Sequence, residues 1–160
     1  IGADGEHIHE TYIRVFNAAV KGRPPGMTIA THTCRGNHRS AWFASGGYDF
    51  IAEALFNRLD VDGFFLEYDD ERSGGFAPLR FLPKGKCAVL GLVSSKNRAL
   101  ESKDAIKRRI EEAAKYAPLE QLCLSPQCGF SSTLDGNDLS EAEQLAKLRL
   151  VSEVAREVWG

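Results

Sequence analysis

The sequence predicts an α/β domain with parallel strands, arranged either as part of a (β/α) barrel or as an open doubly wound sheet. Three observations predict it. Short apolar, β-branched runs alternate with longer runs of helical period, four times over. The strand runs are near-continuously apolar, as strands covered on both faces are. The strand–helix unit recurs at roughly 30–40 residues, the length of such a unit. With 160 residues, 43% of them hydrophobic and 26% charged, the chain has material for one folded domain and is too apolar for wholesale disorder.

Each element has its own signal. Over about 6–21, Ile8, Tyr12, Val15 and Ala19 fall on one helical face, and Gly22-Arg23-Pro24-Pro25-Gly26 ends that helix. Met27 to His32 reads as a short buried strand. A second helix over 48–59 turns Ile51, Ala54, Leu55 and Leu59 inward, and a strand follows from Asp62 to Glu67. After a polar, glycine-bearing loop from Tyr68 to Gly75, Cys87–Val93 is the third strand. A helix over 102–116 presents Ile106, Ile110, Ala113 and Ala114 on one face. Gln121 to Ser125 is the fourth strand. The last helix, 141–158, opens on Ser140 three residues before Glu143, a capping-box pattern. Its apolar face runs through Leu145, Leu148, Val151, Val154 or Ala155, and Val158.

Composition narrows the function. Twenty Lys and Arg against 22 Asp and Glu leave a net charge of −2, with no general attraction to nucleic acid or acidic membranes. No apolar run approaches the roughly 18 residues of a spanning helix, and no secretory signal opens the sequence. Cysteines at 34, 87, 123 and 128 do not form the pattern of a secreted disulfide scaffold, so reduced thiols and a cytoplasmic location are expected. The sequence starts at Ile1 and its single methionine is Met27, so Ile1 is not expected to be a native N-terminus. Neither a Gly-x-Gly-x-x-Gly after a strand nor a Gly-x-x-x-x-Gly-Lys-Ser/Thr is present, which removes the usual nucleotide-binding readings.

The chemistry gathers where strands end. His32 and Cys34, two residues apart, project to the same side of an extended chain. Glu67 ends the second strand, and Cys128 lies just past the fourth. In parallel α/β architectures these ends share one face, where sites are built. His, Cys, Glu and Cys are zinc donors. Each alone also fits an ordinary role: a hydrogen-bonded histidine, buried thiols, or, beside Asp69, Asp70 and Glu71, a solvated carboxylate. Cys123, about 16 Å from Cys128 along an extended strand, and Cys87, at the opposite end of its strand, read as core thiols. His7, His9 and His38 read as surface residues.

Thr31-His32-Thr33-Cys34-Arg35-Gly36-Asn37, Phe65 to Ser73, and Leu124-Ser125-Pro126-Gln127-Cys128-Gly129-Phe130 resemble the catalytic domain of cobalamin-independent methionine synthases, and more closely the short bacterial proteins related to it. The resemblance implies that residues 1–160 form the C-terminal half of a (β/α)8 TIM barrel, about four βα units, with an N-terminal half supplied by the same or another chain. It implies that His32, Cys34, Glu67 and Cys128 bind Zn2+, and that the reaction is methyl transfer from 5-methyltetrahydropteroyltriglutamate to homocysteine, forming methionine. Two thiolates and a carboxylate would leave such a zinc with net charge −1, suited to carrying a substrate thiolate that must stay nucleophilic.

The sequence departs from the family at Val93, in Leu92-Val93-Ser94-Ser95-Lys96, where methionine synthases carry a histidine that protonates the folate nitrogen. Lys96 after that strand could in principle assist the protonation, but a loop lysine there reads more often as solvated than catalytic. The family's Asp-Glu-Pro segment, an acidic contact to homocysteine, belongs to the half upstream. Two alternatives follow: a zinc thiol methyltransferase with a methylcobamide or sulfonium donor, and a non-catalytic zinc-binding remnant.

Overall fold

A computed structural model describes residues 7–160. Its elements are α1 (Ile8–Val20), β1 (Ala30–Thr33), α2 (Ala52–Arg58), β2 (Gly63–Glu67), β3 (Cys87–Val93), α3 (Lys103–Ala113), β4 (Leu122–Pro126) and α4 (Glu141–Trp159). Short 3-10 turns occupy Glu71–Ser73, Ala77–Phe81 and Leu119–Gln121. The four strands form one sheet in the order β1-β2-β3-β4, every neighbour pair parallel. A doubly wound sheet reverses its strand order at a switch point. The unbroken sequential order here decides for consecutive strands of a barrel.

The expected elements occur in the expected order, with shifts at their ends. Residue 6, where the first helix was expected to begin, lies outside the described residues. Met27 to Ile29 stay out of β1, because the Ile29 amide donates to the Asp62 carboxylate (2.8 Å). The stretch before α2 is a turn in which Ile51 N and Ala52 N both bond to Tyr48 O (3.1 and 2.8 Å). The capping box is present: Glu143 N donates to Ser140 Oγ (3.3 Å), and Ser140 N donates to Glu143 Oε2 (2.7 Å). No helix among the described residues is long and apolar enough to cross a membrane.

Most of the buried strand side chains point to a single face, with Val89 and Glu67 on the other. Phe64, Leu66, Ala88, Leu90 and Leu122 pack under the helices with Phe56, Leu79, Ile106, Ile110, Ala113 and Val154. Phe56 meets Phe64 edge to face at 4.9 Å. The opposite face carries His32, Phe65, Val89 and Cys123 in one register row, and only Val89 of these is buried. This row corrects the reading of two cysteines. Cys123 is exposed and Cys87 only half-buried, because both lie on the face that no helix among the described residues covers.

The inward faces of three helices are corrected in part, since Leu59 and Val154 are buried as expected. In α1, Tyr12 and Val15 are exposed, while Ile13 is buried and Phe16 packs against the core. In α2 the buried residues are Ala52 and Phe56, with Leu59 just beyond, and Ala54 and Leu55 only partly covered. In α4, Leu145 and Leu148 are exposed, and Lys147, Leu150 and Val154 are buried. Val151, Val154 and Val158 do pack on the core, whereas Tyr12, Val15, Leu145 and Leu148 lie on the helices that flank the two edge strands, where no further element among the described residues covers them. In α3, Ile106, Ile110 and Ala113 are buried as expected.

Candidate metal centre

The register of the sheet assembles the site. His32 pairs with Phe65, so Cys34, two residues on, comes level with Glu67, which pairs with Gly91, which pairs with Ser125. Gly91 is required there. A Cβ at that position would lie 2.9 Å from Leu66 O and 3.2 Å from the Gln127 Cα. An irregularity between Gly91 and Val93 bends the end of β4, and Gln127 N bonds to Val93 O (2.8 Å), which turns Cys128 back over the strand ends.

His32 Nε2 thus stands 3.6 Å from Glu67 Oε1. Cys128 Sγ donates to the same oxygen (2.7 Å) and lies 3.4 Å from Cys34 Sγ. One donor atom from each of the four residues lies within 4.8 Å of all the others. Glu67 is fully buried, whereas His32 and Cys34 are exposed, so the cluster opens toward the bare sheet face. The burial of Glu67 corrects the solvated-loop alternative. Asp69 nearby is half-buried, its side chain covered and paired with Arg72 (3.2 Å). Asp70 and Glu71 are exposed.

Burial opposes a charge on Glu67. It is outweighed by the hydrogen bond from Cys128, the Arg35 amide (3.1 Å), the facing Gln127 amide and the charge on Lys96, and the carboxyl is held below its usual range. Burial pushes the Cys128 thiol up, and its bonds to Glu67 and Cys34 push it further. Without a cation the proton therefore sits on sulfur. Arg35 fixes the carboxylate from behind: its Nη1 and the Glu67 amide both donate to Tyr48 Oη (2.7 and 2.8 Å). Its Nε and Nη2 hold Gly46 O (2.9 and 2.6 Å).

This donor set fits a tetrahedral zinc. Bonds of about 2.0–2.3 Å imply ligand-to-ligand edges of roughly 3.3–3.8 Å. The Cys34–Cys128 and His32–Glu67 separations, 3.4 and 3.6 Å, fall in that range. The shorter Cys128–Glu67 contact is the one a proton now occupies. Glu67 Oε2 and Gln127 Nε2, both buried, complete no well-formed hydrogen bond, so polar capacity remains at the site.

Arg35 and Gln127 have no signal in the sequence beyond adjoining Cys34 and Cys128, and Tyr48, 19 residues from Glu67, has none. Lys96 is corrected from a solvated residue to a neighbour of the cluster: its Nζ bonds to Gln127 Oε1 and stands 3.9 Å from Cys128 Sγ. Val93 is fully buried in the hydrophobic core. His38 is on the surface as expected, but His9 is half-buried, edge-on to Phe50 (5.7 Å). With Tyr12, Phe16, Leu55 and His32, His9 lines a cavity of about 480 Å³ beside β1.

The model of the family described as "Cobalamin-independent synthase, Catalytic domain" matches residues 13–157. The uncharacterized proteins YxjG and YxjH of Bacillus subtilis (strain 168) are 52% and 53% identical over 159 and 160 residues, 99% of this chain but 42% of each relative. The methionine synthase of Pyrococcus abyssi is 29% identical over 120 residues, 74% of this chain and 31% of that protein. Among solved structures, the putative vitamin-B12 independent methionine synthase of Listeria monocytogenes superposes with a TM-score of 0.76 at 39% identity, covering all of this chain and 44% of that one. The four parallel strands correspond to part of the TIM barrel of these homologues. The chain spans less than half the length of the relatives it matches.

Proposed function

The chain belongs to the cobalamin-independent synthase catalytic-domain family, and on that premise we propose that it is the metal-binding, C-terminal half of a barrel that transfers a methyl group to a thiol. Its ligands for Zn2+ are His32, Cys34, Glu67 and Cys128, and its acceptor is homocysteine. The observation that carries the reading is the convergence of those four donors within 4.8 Å at the strand ends. A structural zinc is normally closed by Cys and His. A buried carboxylate with exposed His32 and Cys34 beside it fits a working site open to substrate.

When bound, zinc supplies the positive charge that lowers the pKa of an incoming thiol so that it reacts as thiolate at neutral pH. The chain's own residues prepare that site. Cys128 holds its proton toward Glu67, the Arg35 amide and Tyr48 hydroxyl keep Glu67 at the end of β2, and Lys96 sets a cation beside the sulfur. The N-terminal half, from the same chain or another, supplies the remaining substrate contacts and covers the bare sheet face.

Methyltetrahydrofolate is the donor by family membership, yet its amine must be protonated to leave. Val93, packed in the core, offers no proton. That observation favours a second reading, in which the donor is a methylated corrinoid or a sulfonium compound. The test loads the chain with zinc and follows the metal by X-ray absorption as homocysteine is added. A new Zn–S bond is expected. Stoichiometric zinc that does not respond to homocysteine would instead identify a non-catalytic zinc protein. With the N-terminal half present, turnover with methyltetrahydrofolate, methylcobalamin and S-methylmethionine separates the donors.

A further inference from the structure

We propose that Lys147 on α4, acting with Glu101, is a positioning residue of the metal centre: it fixes the loop after β3 that lays Ser95 and Lys96 against Gln127 and Cys128. The inference rests on the reading of His32, Cys34, Glu67 and Cys128 as metal ligands.

Lys147 occupies a core position of α4, in line with Leu150 and Val154, and its side chain is 0% exposed. A leucine would fill that place without the cost of burying an ammonium. The charge is fully used. Its Nζ donates to Ala99 O (2.5 Å) and to Glu101 Oε2 (2.9 Å). The other Glu101 oxygen accepts from Ser94 N (2.8 Å). Glu101 therefore ties the first residue of the loop to α4, and Lys147 also holds the loop at Ala99.

The pinned segment leads straight to the cluster. Ser94 Oγ donates to Asp69 (2.9 Å) and accepts from Lys96 N (3.3 Å). Ser95 Oγ and Lys96 Nζ both donate to Gln127 Oε1, and Lys96 stands 3.9 Å from Cys128 Sγ. Residues 94–101 have no helix or strand of their own. Asn137 steadies the loop through Ser95 O (2.7 Å), but it does not reach Ser94 or Glu101. Without Lys147, Ala99 O and Glu101 lose their shared donor, Glu101 is free to leave Ser94, and the two contacts to Gln127 loosen. Gln127 is bonded in sequence to Cys128, so the ligand loses its support. Removing partners of this outer kind typically weakens metal binding about 10–100-fold.

The test measures Zn2+ affinity by competition with a chromophoric chelator, on the chain and on K147M, E101Q, K96M and K147M/K96M, each checked for folding by circular dichroism. We expect K147M and E101Q to bind zinc about tenfold more weakly, K96M to do likewise, and the double variant to be no weaker than the weaker single. Co2+-loaded K147M would show a shifted visible spectrum. A merely structural lysine would lower Tm and leave the affinity of the folded protein and the cobalt spectrum unchanged, and that result overturns the proposal. So do losses in K147M and K96M that multiply in the double variant. Should K147M fail to fold, E101Q, altered at a partly exposed side chain, decides alone. Failure of the unaltered chain to bind zinc is a separate outcome: it overturns the metal reading and this inference with it.

Discussion

Cys128 donates its thiol proton to Glu67 Oε1 over 2.7 Å, joining the ends of β4 and β2 across 61 residues of sequence. β3 lies between those strands, and the bond crosses it at Gly91, the position level with Glu67. A proton in that bond and a metal in the cluster exclude each other. Zinc uptake is therefore expected to release a proton, seen as an apparent binding enthalpy that varies with buffer, and affinity should rise with pH. C128S and E67Q should each weaken zinc by at least a hundredfold. Apparent zinc binding of about 10–16 kcal/mol spread over four ligands puts roughly 3 kcal/mol on each. Competition titration measures it, and a loss under threefold in either variant removes that residue from the ligand set.

Gly91 gives a second, independent test of the same geometry. A methyl group there would press on Leu66 O and the Gln127 backbone, neither of which can turn away. G91A is expected to destabilise the fold by about 1–3 kcal/mol, the usual cost of overpacking, in a urea titration. It should also weaken zinc, because the displaced backbone is the one that precedes Cys128. Stability lost with zinc affinity intact would show that Cys128 does not depend on that crossing.

The strands are legible in the sequence from their short apolar, β-branched runs, and Cys87–Val93, buried along nearly its whole length, reads as a strand from its composition alone. β1, expected to be buried, has no buried residue, because it lies at the edge of the sheet. The two ends of the sheet are not legible. Tyr12, Val15, Leu145 and Leu148 obey helical periodicity and yet are exposed, since periodicity reports that a face is apolar and not what covers it. The four cluster residues stood out by chemical type and by their place at strand ends. Their supports did not, because Arg35, Tyr48, Lys96, Gln127 and Lys147 have common roles elsewhere and acquire this one only through contacts between distant segments.

Glu157 joins α4 to α3 through Lys107 and Lys103. Hydrogen bonds from Lys107 first, then Lys103, bring its carboxyl down to about 2. A depressed folded-state value means the contribution is complete above the unfolded carboxylate's pKa and disappears as pH falls through the folded one. E157Q is therefore expected to have a slightly lower Tm than the unaltered chain at pH 7, with the gap closing as pH falls from about 4.5 toward 2. The pair is exposed, so 0.5 M salt should shrink the gap at pH 7. A gap constant from pH 7 to pH 2 would show that these ion pairs do not link the helices.

Phe65 is 40% exposed at the centre of a sheet whose other side is closely packed, and Cys123 lies in the same register row. Among the described residues β1 and β4 have no strand neighbours on their outer sides, and exposed apolar residues flank both, Tyr12 and Val15 near one, Leu145 and Leu148 near the other. Unpaired strand edges beside uncovered apolar surface call for a partner. If the N-terminal half of a barrel is that partner, mixing the chain with the corresponding half of a full-length relative should slow maleimide labelling of Cys123 by at least tenfold, read by mass spectrometry with zinc present to shield Cys34 and Cys128. F65D replaces a side chain that is partly solvated in the chain alone, so it should leave the fold intact and abolish the protection. Labelling of Cys123 that stays fast in a stoichiometric mixture would show that this face does not receive the missing half.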